Sequence, residues 1–185
     1  VFTCYFIVKV RSFGIKNTAL GSGHKNVKLA GFYVFRLLKN VFLFLLIYFF
    51  LVSYKLIWYP TPFYDWDESL YIQSGKEMIQ NNYYLFPVWQ GVPWLDKPPL
   101  VPLVYGAIEK FFYFIPPEIS TRMFTLLISI VLLSFVYALY NKLFKDQVLS
   151  TLAVVTTAFT PIFLQRAQVV NLDLFLLLGW LGYIL

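Results

Sequence analysis

The 185 residues include a single cysteine, Cys4, and a single histidine, His24. One thiol excludes an intrachain disulfide framework and a Cys-rich zinc site. One imidazole excludes a multi-histidine metal site within this stretch. Charge is scarce as well: 13% of residues are charged, where an ordinary soluble domain carries about a quarter. Acids are missing altogether before Asp65. What is abundant is apolar: 59% of residues are hydrophobic, 21% are aromatic and the mean hydropathy is +0.68. Such a composition excludes disorder, which needs low hydrophobicity and high net charge. It argues against a soluble enzyme of this size and for an all-α polytopic membrane protein.

The net charge of +6 is unevenly placed. Lys9, Arg11, Lys16, Lys25, Lys28, Arg36 and Lys39 precede Asn40 with no acid among them. A basic tail can face nucleic acid. Beside a long apolar run it reads instead as a cytoplasmic N-terminal segment, residues 1–40, with no nucleic-acid partner. Val1 to Val10 is apolar but short, contains Lys9 and lacks the order of a signal peptide. The first convincing span is 41–59, with Lys55 near its far end beside Trp58 and Tyr59, where lysines snorkel and aromatics prefer the interface. Pro60 and Pro62 end it.

Residues 60–118 then form an outer loop holding seven of the nine acids. Asp65-Trp66-Asp67-Glu68 opens a helix to about Gln80, and Asp65 with Glu68 fits a capping box. Leu70, Ile72, Met78 and Ile79 are expected to dip into the membrane interface while Gln73, Lys76 and Glu77 stay wet. Leu100 to Phe114 is too short to span and is expected to lie along the membrane surface. Further spans are expected at 119–139, 148–164 and 172–185. Lys142 and Lys145 mark a cytoplasmic turn, and residues 165–173 an outer one. The last run is too short to cross a bilayer, and the chain opens on Val1, so a fragment of a longer protein is the expectation.

This topology gathers Asp65, Asp67, Glu68, Asp96, Lys97, Arg122, Arg166 and Asp173 at the outer face. Two readings stand for each. Asp67 and Glu68 suit a general base or a hard-cation ligand, or are ordinary first-turn acids facing the helix dipole. Lys97, held extended by Pro98 and Pro99, suits a phosphate contact or a solvated turn. Asp173 is an acid at the edge of an apolar helix, which marks function by default, or a first-turn acid behind Asn171 as cap. Arg122 and Arg166 neutralise phosphate or pair with these acids, or anchor at the interface.

The order of these pieces resembles a known family. A basic N-terminus and one span are followed by YDWDESLYIQSGKEMIQNN, WLDKPPLVPLVYG, STRMFTLL and RAQVVNLDLFLLLG. This is similar to the N-terminal part of polyprenyl-phosphate-sugar-dependent glycosyltransferases of the GT-C fold, in the branch of the aminoarabinose transferases and protein O-mannosyltransferases. The similarity runs from about Val41 to Leu185. It implies GT-C-like transmembrane helices with amphipathic outer-face helices in the first loop. It implies Asp67 as catalytic base with Glu68 its neighbour, Lys97 and Arg122 on the donor phosphate, Asp173 as a supporting acid, and Asp96 as a candidate ligand for a divalent metal ion.

The implied activity is inverting transfer of a hexose or pentose from a polyprenyl-phosphate sugar to a hydroxyl of a lipid, glycan or protein. It would occur on the extracytoplasmic face of a multi-pass plasma-membrane protein in contact with membrane lipids. No Gly-rich nucleotide loop stands in the sequence, in keeping with a lipid-linked donor. The alternative is a transporter or flippase fragment with its acids as substrate contacts. A third reading is a structural membrane subunit.

Overall fold

The structure, a computed structural model, describes residues 23–63 and 66–185, with only the backbone described over 23–40. Cys4, the side chains of the basic segment 1–40 including His24, and the capping role of Asp65 lie outside the described residues.

The first helix, α1, spans Gly23–Trp58, and its apolar part is Val41–Trp58. One stripe of that part is buried: Val41, Leu45, Tyr48, Val52 and Leu56, at the three- and four-residue spacing of a helix face. The other faces are apolar too but exposed, with Phe42, Leu46, Phe50, Leu51 and Trp58 pointing outward. A helix that is apolar all round suits hydrocarbon. The long helix α4, Pro117–Phe144, begins with Pro117 in the first turn, where its missing N–H costs nothing, and ends on Lys145 in the left-handed conformation. Asp146 then caps α5, Gln147–Phe159, by accepting from the Val148 and Leu149 N–H groups.

The segment expected as one span over 148–164 contains a break. Thr160 is extended, and Pro161 opens a separate short helix, α6, Pro161–Arg166. A proline cannot donate to the turn before it and clashes with that turn's carbonyl. The last helix, α7, is Asp173–Ile184. By length and composition two of the described helices could cross a membrane, α4 and the Val41–Trp58 part of α1. The chain is mostly helical, as expected of an all-α membrane protein, with one small exception in the outer loop. There Val88–Trp89 (β1) and Val92–Pro93 (β2) pair antiparallel around Gln90 and Gly91, both at positive φ. That is the backbone of a tight primed hairpin turn.

The segment between α1 and α4 carries α2, Trp66–Asn81, and α3, Leu100–Phe111. Asn82, left-handed, ends α2 with the Tyr83 N–H bonded back to the Met78 carbonyl. The two helices cross at Gly75 and Gly106 with their backbones in contact. A Cβ on Gly75 would fall on the Pro102 carbonyl, and one on Gly106 would fall on the Gly75 backbone. Only glycine permits that approach. Leu70, Ile72 and Met78, expected at the membrane interface, are buried within the protein, while Gln73 and Lys76 are exposed as expected. The packing of α2 on α3 covers the apolar face that the sequence assigned to lipid.

Two hydrophobic clusters result. One joins α1, α4, α5, α6 and α7 through Leu45, Leu126, Leu133, Val154 and Leu174. The other, centred on α2 and α3, gathers Tyr71, Ile72, Val101, Tyr105 and Val170 with Phe63, Trp94 and Phe175 around them.

Candidate active site

Adjacent residues on a helix are turned about 100° apart, so Asp67 and Glu68 cannot face the same way. Glu68 points into the protein and is fully buried; Asp67 is half-buried at its rim. The difference separates their chemistry. Glu68 Oε2 meets Arg122 Nη2 at 2.8 Å, and Oε1 accepts from Arg122 Nε at 3.1 Å and from the Val170 N–H at 2.9 Å. Arg122 Nη1 donates to the Thr61 carbonyl at 2.7 Å and to Thr61 Oγ1 at 2.9 Å. Its Nη2 also donates to the Pro62 carbonyl at 3.0 Å. The Phe63 ring centroid lies 5.5 Å from the guanidinium carbon.

All five guanidinium donors are thus committed within the protein. This corrects the expectation for two residues. Arg122 has no N–H to offer a donor phosphate, and Glu68, sealed against it, is in no position to meet an acceptor hydroxyl. Both belong to the framework behind the site.

Asp67, Lys97 and Asp173 all bear electrostatically on the Tyr71 phenol. Tyr71 lies one turn beyond Asp67 on the same face of α2. Its pKa is raised above the usual value, first by burial. The Lys97 charge and a hydrogen bond from Lys97 oppose the rise, while the charges of Asp67 and Asp173 add to it. Lys97 Nζ lies 5.9 Å from the Tyr71 ring centroid. The Trp94 ring packs 6.2 Å from the same ring, and its Nε1 donates to Asp96 Oδ2 at 3.2 Å. Lys97 is only partly exposed, whereas Asp96 is exposed. One cation therefore stands among two half-wet carboxylates, a phenol and an indole.

Asp173, in the first turn of α7, is exposed and pairs with Arg166 Nε at 3.3 Å. Asn171 Oδ1 accepts from the Leu174 N–H at 3.1 Å and so caps that helix, as its sequence position suggested. The Asn171 Nδ2 group ties back to the Arg166 carbonyl at 2.7 Å. The fully buried Tyr105 hydroxyl lies 2.8 Å from Thr125 Oγ1, which ties α3 to α4. Burial pushes its pKa up to about 12.

For a metal ion the fit is poor. Among the described residues no group of three or more His, Cys, Asp or Glu side chains gathers in a way that could hold a metal ion, and one Asp96 oxygen is taken by the Trp94 N–H. Hard cations want several oxygens at once. The sequence reading missed Tyr71 and Trp94. Tyr71 was open to detection, because the i, i+4 spacing from Asp67 places both on one face.

Residues 96–185 match the family model described as dolichyl-phosphate-mannose-protein mannosyltransferase. The matched stretch contains Asp96, Lys97, Arg122, Arg166 and Asp173; Asp67 and Glu68 precede it. The match bears out the resemblance to a GT-C-like glycosyltransferase read from the sequence. A protein of Aquifex aeolicus (strain VF5), described as uncharacterized, is 26% identical over 124 residues, which cover 67% of this chain and 23% of that protein. The chain thus spans about a quarter of the length of the curated relative it matches. No solved structure matches the chain.

Proposed function

We propose that the chain is part of a multi-pass membrane glycosyltransferase that moves a sugar from a polyprenyl-phosphate donor to an acceptor hydroxyl on the extracytoplasmic face. The observation that carries the reading is Lys97 lying 5.9 Å from the Tyr71 ring, with Asp67 one turn before Tyr71 on α2, taken with the family match that covers Lys97 and Asp173.

The placement of charge supports the sidedness. Lys142 and Lys145 lie at one end of α4, and the site lies at the other. Lys55, at the end of α1, donates to Gln168 at 2.7 Å, so the outer ends of α1 and of the α6–α7 connection adjoin. With the basic residues before Asn40, the positive-inside rule supports the reading that the positive turns are cytoplasmic and the site extracytoplasmic.

In this mechanism Lys97 holds the donor phosphate as a point charge. Tyr71 and Trp94 pack beside Lys97, and Asp173 is held by Arg166. Asp67 accepts the proton of the acceptor hydroxyl while that oxygen forms a bond to the anomeric carbon. The bond from that carbon to the phosphate oxygen breaks on the opposite face. The lipid phosphate leaves with the electron pair, and the configuration inverts. The sugar is a hexose or pentose, and the acceptor a lipid, glycan or protein.

The test is transfer of label from a radiolabelled polyprenyl-phosphate sugar by the intact protein in membranes. Transfer that Asp67→Asn lowers by about 100- to 10,000-fold, with donor binding kept, supports the base assignment. Movement of the labelled lipid across the bilayer without transfer would make the protein a transporter instead. Unchanged transfer by Asp67→Asn would remove the base.

A further inference from the structure

We infer that the buried Glu68–Arg122 pair is a positioning device for the reaction, fixing where Asp67 stands relative to Asp173. The inference rests on the glycosyltransferase reading for its catalytic readout, and on geometry alone for its second readout.

The geometry is specific. Glu68 neighbours Asp67 in the chain, and one of its oxygens accepts the Val170 N–H at 2.9 Å. Val170 precedes Asp173 by less than one helical turn, and Asn171 between them is locked by its own hydrogen bonds. The same carboxylate is held bidentate by Arg122, which also grips the Thr61 and Pro62 carbonyls where the chain leaves α1. One ion pair therefore joins four pieces: the end of the first apolar helix, the start of α2, the start of α4 and the lead into α7.

An apolar contact in that place would hold the pieces together but would not set their register, because dispersion and burial have no direction. Hydrogen bonds from a planar fork do. Buried pairs of this kind are often no more stabilising than apolar residues of similar volume, whereas removing one partner leaves a stranded charge. That contrast provides the test, because stability and register can be separated.

Two single variants, Glu68→Met and Arg122→Met, and the double variant are made in the intact protein. The singles are expected to unfold at lower temperature than wild type and the double to regain most of the loss. Transfer is read on the double variant. The expected result is a fall in kcat of about 100-fold or more, the scale of misplacing a reacting group by about an ångström, with the donor KM unchanged, since Lys97 is untouched. A double variant that regains both stability and kcat overturns the proposal.

The second readout needs no activity. Spin labels on cysteines introduced at the exposed positions Ser69 and Leu176, with Cys4 replaced by serine, report the distance between α2 and α7. One narrow distance is expected in wild type and a broad distribution in the double variant. Equal, narrow distributions overturn the proposal. Should wild type transfer no sugar, the reading of the function fails by itself, and the distance measurement decides on the pair.

Discussion

Around α1, α4 and α5 the serine and threonine hydroxyls bond within their own helices, and the buried Tyr48 and Tyr137 hydroxyls have no hydrogen-bond partner among the described residues. Ser53 donates to the Phe49 carbonyl, Ser129 to Leu126, Thr151 to Gln147 and Thr157 to Ala153, each within its own helix. Between those helices the contacts are Leu on Val and ring on ring, as where Phe159 meets Phe44 and Tyr48 edge to face. Around Tyr71 the polar groups do the opposite. Glu68, Arg122, Tyr105 and Thr125 all bond across elements. The first region is made to be apolar from every direction and tolerates sliding. The second is made to hold a few side chains at fixed distances. The proposed glycosyl-transfer site would need the second kind of packing, because donors and charges help a reaction only where they are held in place.

The contrast can be broken at its strongest point. Glu68→Ala strands the Arg122 charge in a dry site and should cost about 3–5 kcal/mol, read as a drop in thermal midpoint of the protein in mild detergent. The helix crossing comes next. Gly75→Ala puts a methyl group into backbone, and its cost should lie toward the upper end of about 1–3 kcal/mol. A wild-type midpoint in that variant would mean that α2 and α3 do not cross at these glycines.

Leu133→Ala, in the centre of the apolar cluster, should cost nearer about 2 kcal/mol. Lipid tails are as apolar as leucine, so mainly packing is lost. If it proves costlier than Glu68→Ala, the comparison is inverted. The smallest effect belongs to Lys76→Ala. Its ion pair with Glu109 at 3.0 Å has an exposed lysine and should contribute no more than about 1 kcal/mol, vanishing in high salt.

Alkali sharpens the same comparison in another way. The Tyr105 phenol in the folded protein titrates near 12, above the ordinary 10. The neutral form is therefore favoured by folding. That contribution is whole below pH 10 and is lost as the pH rises through 12. Tyr105→Phe should lose the hydrogen bond to Thr125 at neutral pH but show a flatter decline between pH 10 and 12, followed by denaturation at each pH.

Much of this was legible in the chain before any coordinates. The apolar runs, the Pro60 and Pro62 stop, the cap at Asn171 and the Lys97-Pro98 corner depend on neighbours in sequence, and periodicity reads neighbours. The break at Pro161 was visible as a proline but not as a helix end, because prolines also sit inside membrane helices. The roles of Asp67 and Glu68 were not separable. Two adjacent acids in a first turn look alike until another element supplies an arginine to one of them, and that arginine stands 54 positions away. Arg122 misled for the same reason: a lone arginine at the head of an apolar helix suits a phosphate equally well until its five donors are traced. The apolar face of α2 was seen, but its partner was not, because Gly75 and Gly106 carry no hydrophobic signal at all.

The span between Glu68 and its partners also sets an order of events during synthesis. Arg122 follows Glu68 by 54 residues and the Val170 amide by 102. At the ribosome's pace of about 5–20 residues per second, the carboxylate waits roughly 3–10 s for the arginine and roughly 5–20 s for the amide. Through that interval it has to remain hydrated, since a lone carboxylate does not enter a dry interior. The outer loop therefore cannot close over its acid while it is being made. Water can leave the surroundings of Glu68 only after the α6–α7 connection has emerged.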